Sequence, residues 1–402
     1  MPLTPRVSIR SFLSSAKSAL QNVTQQSPPL TFVVGNEAAD LDSICSAIVL
    51  AYLRTYASSP SNTNTLYIPL TNIPRADLTL RPELLPVLRR AQLQPSDLIT
   101  RSEVRFLSEE SSRHASEQSR WLLVDHNALL GALGKVYSSR VVGCIDHHDE
   151  EGKVPRDCGG EPRVVKRSGS CASLVVEYCR EAWDTMSARS KSAETAKWDA
   201  ELARVALGPV LIDTSNLGNA AKTTDVDVEA VEYLKTWISA GESEDFDADE
   251  YYKEIWTAER DVGGFSLADL LRKDFKAWTE TGINLGVCSV VTDMISLVGK
   301  APSPNAFLDC VRKFSEERCL SICCVMTRSS KGRELLVWGL DEKGVETCKK
   351  FEAKFGENLG LEAWTDGDLN ESADGTWRKC WNQSRVENSR KQVAPMLRDS
   401  MH

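Results

Sequence analysis

The chain has 402 residues, 42% of them hydrophobic and 26% charged, so it is long enough for two globular domains with separate cores. Its 48 Lys and Arg residues against 57 Asp and Glu residues give a formal net charge of −9, which argues against general adhesion to nucleic acid or an anionic membrane. No apolar run approaches the roughly 20 residues that a membrane span needs. The residues up to Gln26 are too polar for a secretory signal.

The cysteines indicate a reducing compartment. Twelve of them are spread between Cys45 and Cys380, and none forms a C-x-x-C pair. Buried free thiols are therefore favoured over a disulfide framework, and a cysteine-based zinc site lacks the necessary spacing. We predict a cytoplasmic protein.

In the first half of the chain, short apolar runs alternate with helical patterns, which predicts a parallel sheet with helices on both faces. The clearest helical periodicity covers Ser43–Tyr56, whereas Val205–Ile212 is compatible with a strand or a buried helix. Polar composition predicts surface loops at Ser108–Ser119 and Ser187–Lys197. Strands are predicted at Leu30–Val34, Thr65–Pro69, Trp121–Val124 and Val141–Ile145.

A change of composition marks the second domain. The acidic segment Gly241–Glu250 predicts a boundary there, with a first domain at 1–240 and a second at 241–402. Strands again alternate with helices beyond it, and we expect a smaller α/β domain with a mixed sheet. The predicted elements are strands at Leu285–Val291, Leu320–Met326 and Glu334–Leu340, and helices at Asn305–Glu317 and Val345–Phe355.

Acidic residues follow the predicted apolar runs closely. Asp125, Asp146 and Asp213 each end such a run, and Asp40 and Asp42 come within eight residues of the first strand. Because parallel strands present their carboxyl ends at one sheet edge, where ligands bind, we expect these carboxylates to meet there. Any one of them could merely begin a turn, and Asp42 could be only a helix N-cap. Helix capping alone does not explain why all of these carboxylates should lie at one edge of the sheet.

The triplet Asp146-His147-His148 completes a constellation that suits metal ions. Carboxylate oxygen and imidazole nitrogen favour Mn²⁺, Mg²⁺ or Co²⁺, and the absence of nearby thiolates disfavours structural zinc. Two ions could share a hydroxide nucleophile and stabilise a displacement at phosphorus. In that interpretation Asp40 and Asp42 address different ions, and Asp125 bridges them.

Four segments (Gly35–Ser43, Val124–Asn127, Ile145–His148 and Leu211–Ser215) resemble the motifs of the DHH phosphoesterase superfamily. Within it, the first and last resemble the eukaryotic, yeast-type exopolyphosphatase branch, which is related to prune proteins and family II inorganic pyrophosphatases. The resemblance covers nearly the whole chain. It also includes Ile73–Leu78, Glu161–Lys166, Gly169–Ser173, Gly264–Lys276 and Ser389–Pro395.

The resemblance implies a role for each motif residue. Asp40 would bind one ion and Asp42 the other. Asp146 would orient a histidine, as metal-bound imidazoles usually require. His148 would hydrogen-bond the substrate phosphate or protonate the leaving oxygen. The remaining implied ligands are Asp125 as the bridge and His147 and Asp213 on the second ion.

Asn36 departs from the pyrophosphatase pattern, which has a ligand histidine at this position. The exopolyphosphatase branch also has Asn there, which favours that branch. Because an amide oxygen is a weaker and harder ligand than imidazole, we include Asn36 as a candidate ligand and expect Mg²⁺ to serve as well as Mn²⁺.

Several basic residues match the family's phosphate-binding positions or lie beside the motifs. Lys276, Arg390 and Lys391 match positions in the second domain, and Lys222 follows Asp213 in the first. Arg offers phosphate a bidentate fork and Lys a mobile point charge. The resemblance implies an active site in the cleft between the domains. Lys166, Arg167, Lys273, Arg378 and Lys379 could extend this track.

The predicted activity is exopolyphosphatase, a metal-dependent phosphoanhydride hydrolase that releases orthophosphate from the end of linear inorganic polyphosphate. We expect two divalent ions, no nucleic-acid or membrane partner, and a monomer. Two alternatives stay open: a prune-like hydrolase of short polyphosphates, pyrophosphate or nucleotides, and a weakly catalytic interaction protein that retains the fold. A DHH nuclease is disfavoured because Ser389–Pro395 stands where a glycine-rich nucleic-acid motif would be.

Overall fold

The computed structural model describes residues 5–22, 29–57, 65–104, 119–241, 245–330, 332–373 and 375–402. The chain divides into two compact units, Met1–Ala258 and Glu259–His402. Each is described separately below.

The first unit contains a five-stranded parallel sheet in the order β2-β1-β3-β4-β5. The chain runs from β1 to β2 on one side and then returns to β3 on the other side of β1. This reversal creates the kind of crevice where parallel sheets bind ligands. The strands are β1 Leu30–Val34, β2 Tyr67–Leu70, β3 Ser119–Val124, β4 Val141–Asp146 and β5 Arg163–Val165.

Helices cover both faces of this sheet, as the sequence predicts. Along β1, Val33 joins one buried apolar cluster, while Phe32 and Val34 join another on the opposite side. This alternation follows from the two-residue period of a strand. The helices are α1 Ile9–Gln21, α2 Leu41–Tyr56, α3 Leu84–Arg90, α4 Gly131–Tyr137, α5 Cys171–Arg189, α6 Ala193–Asp213, α7 Asp225–Gly241 and α8 Ala248–Arg260.

The structure decides one open local prediction and contradicts another. Val205–Ile212 lies within α6, so the buried-helix alternative is correct and Asp213 ends a helix rather than a strand. The predicted loop at Ser187–Lys197 is wrong for most of its length, because α5 continues to Arg189 and Ser192 caps the start of α6. Of the other predicted loop, residues 108–118 lie outside the described residues, and Ser119 begins β3.

The second unit is built on a mixed sheet in the order β10-β12-β9-β8-β7-β6, with β11 paired to β12. Among the described residues of this unit, only β7 and β8 pair in parallel, and the other strand pairs are antiparallel. The predicted fold class is thus confirmed for both units. The strands are β6 Phe275–Glu280, β7 Ile283–Val290, β8 Ile322–Thr327, β9 Arg333–Gly339, β10 Leu361–Ala363, β11 Glu371–Ala373 and β12 Thr376–Gln383.

Apolar side chains of this sheet also alternate between two buried clusters. Leu285 and Val287 join one cluster with helices α12 and α13, whereas Cys288 and Val290 join the other with α9 and α11. The second unit therefore also has helices packed on both sheet faces. They are α9 Leu267–Lys273, α10 Met294–Val298, α11 Pro304–Glu316, α12 Glu342–Leu359 and α13 Arg390–Asp399.

The division between the units falls after Ala258, later in the chain than the predicted boundary at residue 240. The physical reason is helix α8, whose Tyr251 and Ile255 are fully buried in the apolar core of the first unit. Acidic composition marked the segment before this helix but carried no information about where the helix packs.

All twelve cysteines lie in the described residues and are free thiols, as predicted. None of the helices in the described part of the chain combines the length and apolar character needed to cross a membrane.

Candidate metal centre

Three neighbouring parallel strands deliver the predicted motifs to one sheet edge. β1 leads into Gly35 and Asn36, β3 into Asp125, and β4 ends at Asp146. These strands are adjacent in the order β1-β3-β4, so their carboxyl ends lie side by side. The predicted meeting of these motifs is a direct result of the sheet topology.

The first motif is folded tightly against the start of α2. A Cβ atom at Gly35 would lie 2.4 Å from that of Ser43, so only glycine fits there. Asn72 donates a hydrogen bond of 3.1 Å to the carbonyl oxygen of Gly35, and buried Arg81 donates to that of Ala38. Side chains from elsewhere in the unit thus fix the shape of this loop.

Asp40 and Asp42 have different local roles. Asp40 is the N-cap of α2, with Oδ1 accepting a hydrogen bond of 3.0 Å from the Ser43 amide. The Asp42 carboxylate instead accepts hydrogen bonds from the amides of Cys171 (2.6 Å) and Ala172 (2.9 Å), at the N-terminus of α5. The proposed capping role therefore falls to Asp40, not Asp42.

Asp125 is held in an uncommon backbone conformation, with φ of 60°. Its amide donates to the Ile145 carbonyl oxygen at 3.0 Å. Its Oδ2 accepts hydrogen bonds from Asn36 Nδ2 (2.6 Å) and Ser43 Oγ (2.7 Å). These contacts leave Oδ1 directed towards the histidine pair.

His147 has the arrangement expected of a metal ligand. Its Nδ1 lies 3.1 Å from the carbonyl oxygen of Ser168 and can only donate there, which places the lone pair on Nε2. That Nε2 is 3.2 Å from Asp125 Oδ1 and 3.9 Å from Asp42 Oδ2. A buried imidazole nitrogen and two carboxylates therefore converge.

His148 is oriented by Asp146. Its Nδ1 lies 2.8 Å from Asp146 Oδ1, which also accepts the amide hydrogens of His147 and His148. Asn127 Nδ2 donates to the other Asp146 oxygen at 2.6 Å. Burial raises the pKa of Asp146, but its hydrogen bond with His148 and the charge of that ring outweigh burial and lower the pKa to about 2. Asp146 is thus ionised and holds the His148 ring through Nδ1.

The carboxylates lie close enough to repel one another. Burial raises the pKa of Asp42 well above its ordinary value, and the charges of Asp125, Asp213 and Asp40 raise it further, while His147 opposes them. Asp213 thus belongs electrostatically to this cluster, although it arrives from the end of α6. A bound divalent cation would relieve this repulsion.

Asp227, which the sequence did not single out, holds the segment that carries Ser168 and begins α5. This buried carboxylate accepts hydrogen bonds from the Gly169 amide (2.8 Å), the Thr224 amide (2.7 Å) and Ser173 Oγ (2.6 Å). A Cβ atom at Gly169 would lie 2.9 Å from its Oδ2. Asp227 therefore holds in place the segment whose main-chain groups contact His147 and Asp42.

The predicted basic residues are distributed over both units. Lys222 is exposed in the loop after α6, whereas Lys276 lies on β6 and Arg390 and Lys391 begin α13. Arg390 Nη1 donates to the Asp274 carbonyl oxygen at 2.8 Å, and its Nη2 lies 2.8 Å from Asp274 Oδ1. Arg390 thus contacts the residue before β6, and Lys276 lies at the same end of that strand.

The structure brings together Asp125, His147 and His148, whose candidate ligand atoms all lie within 4.8 Å of one another. Asn36 fits less well as a ligand, because its Oδ1 accepts the Ala38 amide hydrogen at 2.9 Å and its Nδ2 donates to Asp125. Its visible role is to position Asp125. The sequence did not identify Ser43, Asn127 and Ser168 as contributors, although Ser43 and Asn127 lie inside quoted motifs.

The donor set fits a divalent cation. Buried carboxylate oxygens of Asp42 and Asp125 converge with an imidazole nitrogen whose lone pair is fixed by Ser168. These are ligands that Mn²⁺ and related ions accept, and a metal-bound imidazole usually has such an outer hydrogen bond.

Metal binding should therefore stabilise the protein, and more strongly at higher pH. The Asp42 pKa is raised above its ordinary value of 3.8, so the metal-free native state binds more protons than the unfolded state and loses stability as pH rises above about 4. At 100 times its Kd, an ion adds about 2.7 kcal/mol to the free energy of unfolding. Thermal unfolding at pH 5 and pH 8, with Mn²⁺, Mg²⁺ or EDTA, measures the gain. Asp42→Asn should reduce the pH dependence of this stabilisation by metal. A stabilisation by metal that is equal at both pH values in the wild type would contradict the electrostatic argument.

The fold and this site define a class: two-unit α/β proteins with carboxylates and a histidine pair at the carboxyl edge of a parallel sheet. Residues 31–208 match the family model for the DHH family, N-terminal domain, and residues 253–400 match that for the DHHA2 domain. The "Putative exopolyphosphatase" of Schizosaccharomyces pombe is 32% identical over 404 residues, which cover 97% of each chain. The chain belongs to the DHH family, as its motifs predicted.

Other relatives carry related names. "Exopolyphosphatase PRUNE1" of Rattus norvegicus is 30% identical over 70% of this chain and 56% of its own length. The "Manganese-dependent inorganic pyrophosphatase" of Methanocaldococcus jannaschii is 27% identical over 78% of this chain and 88% of its own. A crystal structure of a family II inorganic pyrophosphatase from Methanococcus jannaschii, described as putative, aligns with a TM-score of 0.59 at 21% identity, covering 92% of this chain and 99% of that one. This structural similarity supports the fold.

Proposed function

We propose that the protein is a metal-dependent exopolyphosphatase that removes the terminal phosphate of linear inorganic polyphosphate as orthophosphate. The observation that carries the proposal is the orientation of His147. Its Nε2 lies 3.2 Å from Asp125 Oδ1, while its Nδ1 contacts the carbonyl oxygen of Ser168. The substrate class is supported by the full-length similarity to the S. pombe protein of that name.

In the proposed site, two divalent ions would be held by Asp40, Asp42, Asp125, His147 and Asp213. When bound, such ions supply neutralisation of phosphate charge and a lowered pKa for the attacking water. The chain itself contributes orientation: Asn36 and Ser43 hold one Asp125 oxygen and thereby fix the direction of the other. Asp146 similarly fixes His148, so that a contact with the phosphate or the leaving oxygen falls to Nε2 of that ring.

Cations of the second unit are proposed to bind phosphate groups of the substrate. Arg390 presents a guanidinium that Asp274 already orients. Lys391 follows it on α13, and Lys276 lies on β6, two residues after Asp274. Charge-assisted hydrogen bonds from such groups bind phosphate strongly and stabilise the charge that develops as the phosphoanhydride bond breaks. In the first unit, Lys222 is proposed as a phosphate-binding residue.

Arg390→Ala should raise KM for polyphosphate or lower kcat, with a combined loss in kcat/KM of about 10- to 100-fold, because a guanidinium–phosphate interaction is lost. The stabilisation by metal should not change. Arg398→Ala is the matched control: Arg398 lies on the same helix and pairs with Glu280 at the other end of β6, with Nε to Oε1 at 2.6 Å. Steady-state kinetics equal for the two variants would remove Arg390 from the substrate site.

Substrate choice is tested by one assay. Phosphate release is measured from pyrophosphate, tripolyphosphate, long-chain polyphosphate and a cyclic nucleotide, each with Mg²⁺, Mn²⁺ and Co²⁺. The proposal expects the highest kcat/KM on polyphosphate and comparable rates with Mg²⁺ and Mn²⁺. No release from polyphosphate with any metal would overturn it.

The second candidate is a hydrolase of pyrophosphate or short polyphosphates, favoured by the similarity to a manganese-dependent pyrophosphatase. In the same assay it would give its highest kcat/KM on the shortest substrates. A weakly catalytic interaction protein would give low turnover throughout, with metal binding retained.

A further inference from the structure

A second group of cations lies at the edge of the sheet in the second unit where Lys276 and Arg390 are found. The register places the start of β6, the end of β8 and the start of β9 at this edge, since Phe275 pairs with Cys288, Val290 with Thr327, and Met326 with Leu335. The hairpin between β8 and β9 therefore projects from the same edge. Its described cations are Arg328 and Arg333.

Strand alternation also places Lys276 and Arg333 on one face. Lys276 lies opposite Val287, so the two side chains are on the same face. Arg333 lies two residues before Leu335 on β9 and therefore shares its face. Val287 and Leu335 both belong to the buried cluster against which α13 packs. Arg390, the first residue of α13, begins on that face too. Face and edge together bring Arg333 to the side of the sheet that carries the proposed phosphate-binding residues.

Arg333 has an environment that favours a bound anion. Its Nε donates to the Val386 carbonyl oxygen at 2.6 Å, and no carboxylate pairs with it among the residues that the structure describes. Burial and the positive charge of Arg328 lower the pKa of Arg333. Arg328 pairs with Glu259 at 2.9 Å, and its side chain is 38% exposed. An anion between the two guanidiniums would offset both the burial and the repulsion.

We propose that Arg333 and Arg328 of this hairpin form an additional phosphate subsite, which binds internal phosphates of a long polyphosphate chain away from the hydrolysed end. This inference rests on the proposed function for its substrate. Polyphosphate carries a regularly spaced charge, so each added guanidinium contact raises affinity for chains long enough to reach it. Substrates too short to extend from the hydrolysed end to this subsite gain no affinity from it.

The test compares Arg333→Gln with the wild-type full chain, loaded with metal, across a series of chain lengths. We expect kcat/KM for chains of about 100 phosphates to fall about tenfold and that for tripolyphosphate to stay within about twofold, because one charge-assisted contact is lost. Arg333→Lys, which retains charge without the fork, should lose less. Arg398→Gln is the matched control, since it makes the same change at the opposite edge.

Arg328→Gln gives an independent variant and should show the same dependence on chain length. Direct binding of long-chain polyphosphate to the metal-free protein in EDTA should also weaken in both variants, and this readout does not depend on turnover. Equal losses on short and long substrates, or binding equal to that of Arg398→Gln, would overturn the subsite. Absence of polyphosphate hydrolysis by the wild type would instead overturn the proposed function, while the binding comparison would still decide the subsite.

Discussion

Asp125→Asn should lower kcat by at least about 10³-fold, equivalent to about 4 kcal/mol of transition-state stabilisation, since it alters the residue proposed to bridge two ions. The new amide oxygen would face the two donors that now bind Oδ2, Asn36 Nδ2 and Ser43 Oγ. Its NH₂ group would then point at His147 Nε2, now 3.2 Å from Oδ1. The variant therefore loses a charge and also occupies the imidazole lone pair with a hydrogen bond.

The measurement combines steady-state turnover with calorimetric titration of Mn²⁺ and Mg²⁺. We expect weaker metal binding together with the loss of turnover. The thermal unfolding temperature in EDTA should stay near or above that of the wild type, because one of several repelling carboxylates is neutralised. Asp309→Asn makes the same chemical change at an exposed position of α11 and should leave turnover and metal binding unaltered. Near-normal turnover in Asp125→Asn would exclude the proposed bridge.

The sequence predicted the strands of the first sheet because their apolar runs are short and bounded by polar residues. β1 coincides with its prediction, and the ends of β3 and β4 place Asp125 and Asp146 where the motifs require them. The same reasoning left the element before Asp213 undecided, since Val205–Ile212 is apolar on every side and a buried helix then has no periodicity to separate it from a strand.

Main-chain partners of the site could not be predicted from the sequence. His147 relies on the carbonyl oxygen of Ser168, and Asp42 relies on the amides of Cys171 and Ala172, far away in the chain. Every residue carries these groups, so no residue type marks them. The resemblance flagged Gly169–Ser173 as a matching segment, but only the folded chain shows that it supplies the N-terminus of α5 to a carboxylate.

The cations of the second unit illustrate the same limit. The sequence drew attention to Arg390 and Lys391 because they lie in a matching motif, whereas Arg328 and Arg333 lie in none. Their shared edge with Lys276 depends on the register of three strand pairs, which local patterns do not encode. Charge in an acidic protein thus becomes informative only once the sheet defines which residues share a face.

His148→Asn should lower kcat by about 10²- to 10⁴-fold, the usual contribution of a general acid or base, while metal binding remains close to that of the wild type. The two effects separate because His148 Nδ1 is committed to Asp146 at 2.8 Å, whereas the proposed ligand is His147. The asparagine amide can still donate to Asp146, so the local fold is retained and only the proton carrier is lost.

The pH–rate profile distinguishes proton transfer by His148 from a purely structural role. Despite burial, the hydrogen bond and charge of His148 lower the pKa of Asp146 to about 2, so this carboxylate is ionised where it contacts the ring. If His148 protonates the leaving oxygen, kcat of the wild type falls as that ring loses its proton, and His148→Asn abolishes this limb. His402→Asn, at a side chain 60% exposed beside Glu280, makes the same change without touching the site and should retain the profile. A limb that persists in His148→Asn would assign the proton to another donor, and weakened Mn²⁺ binding in that variant would make His148 a ligand instead.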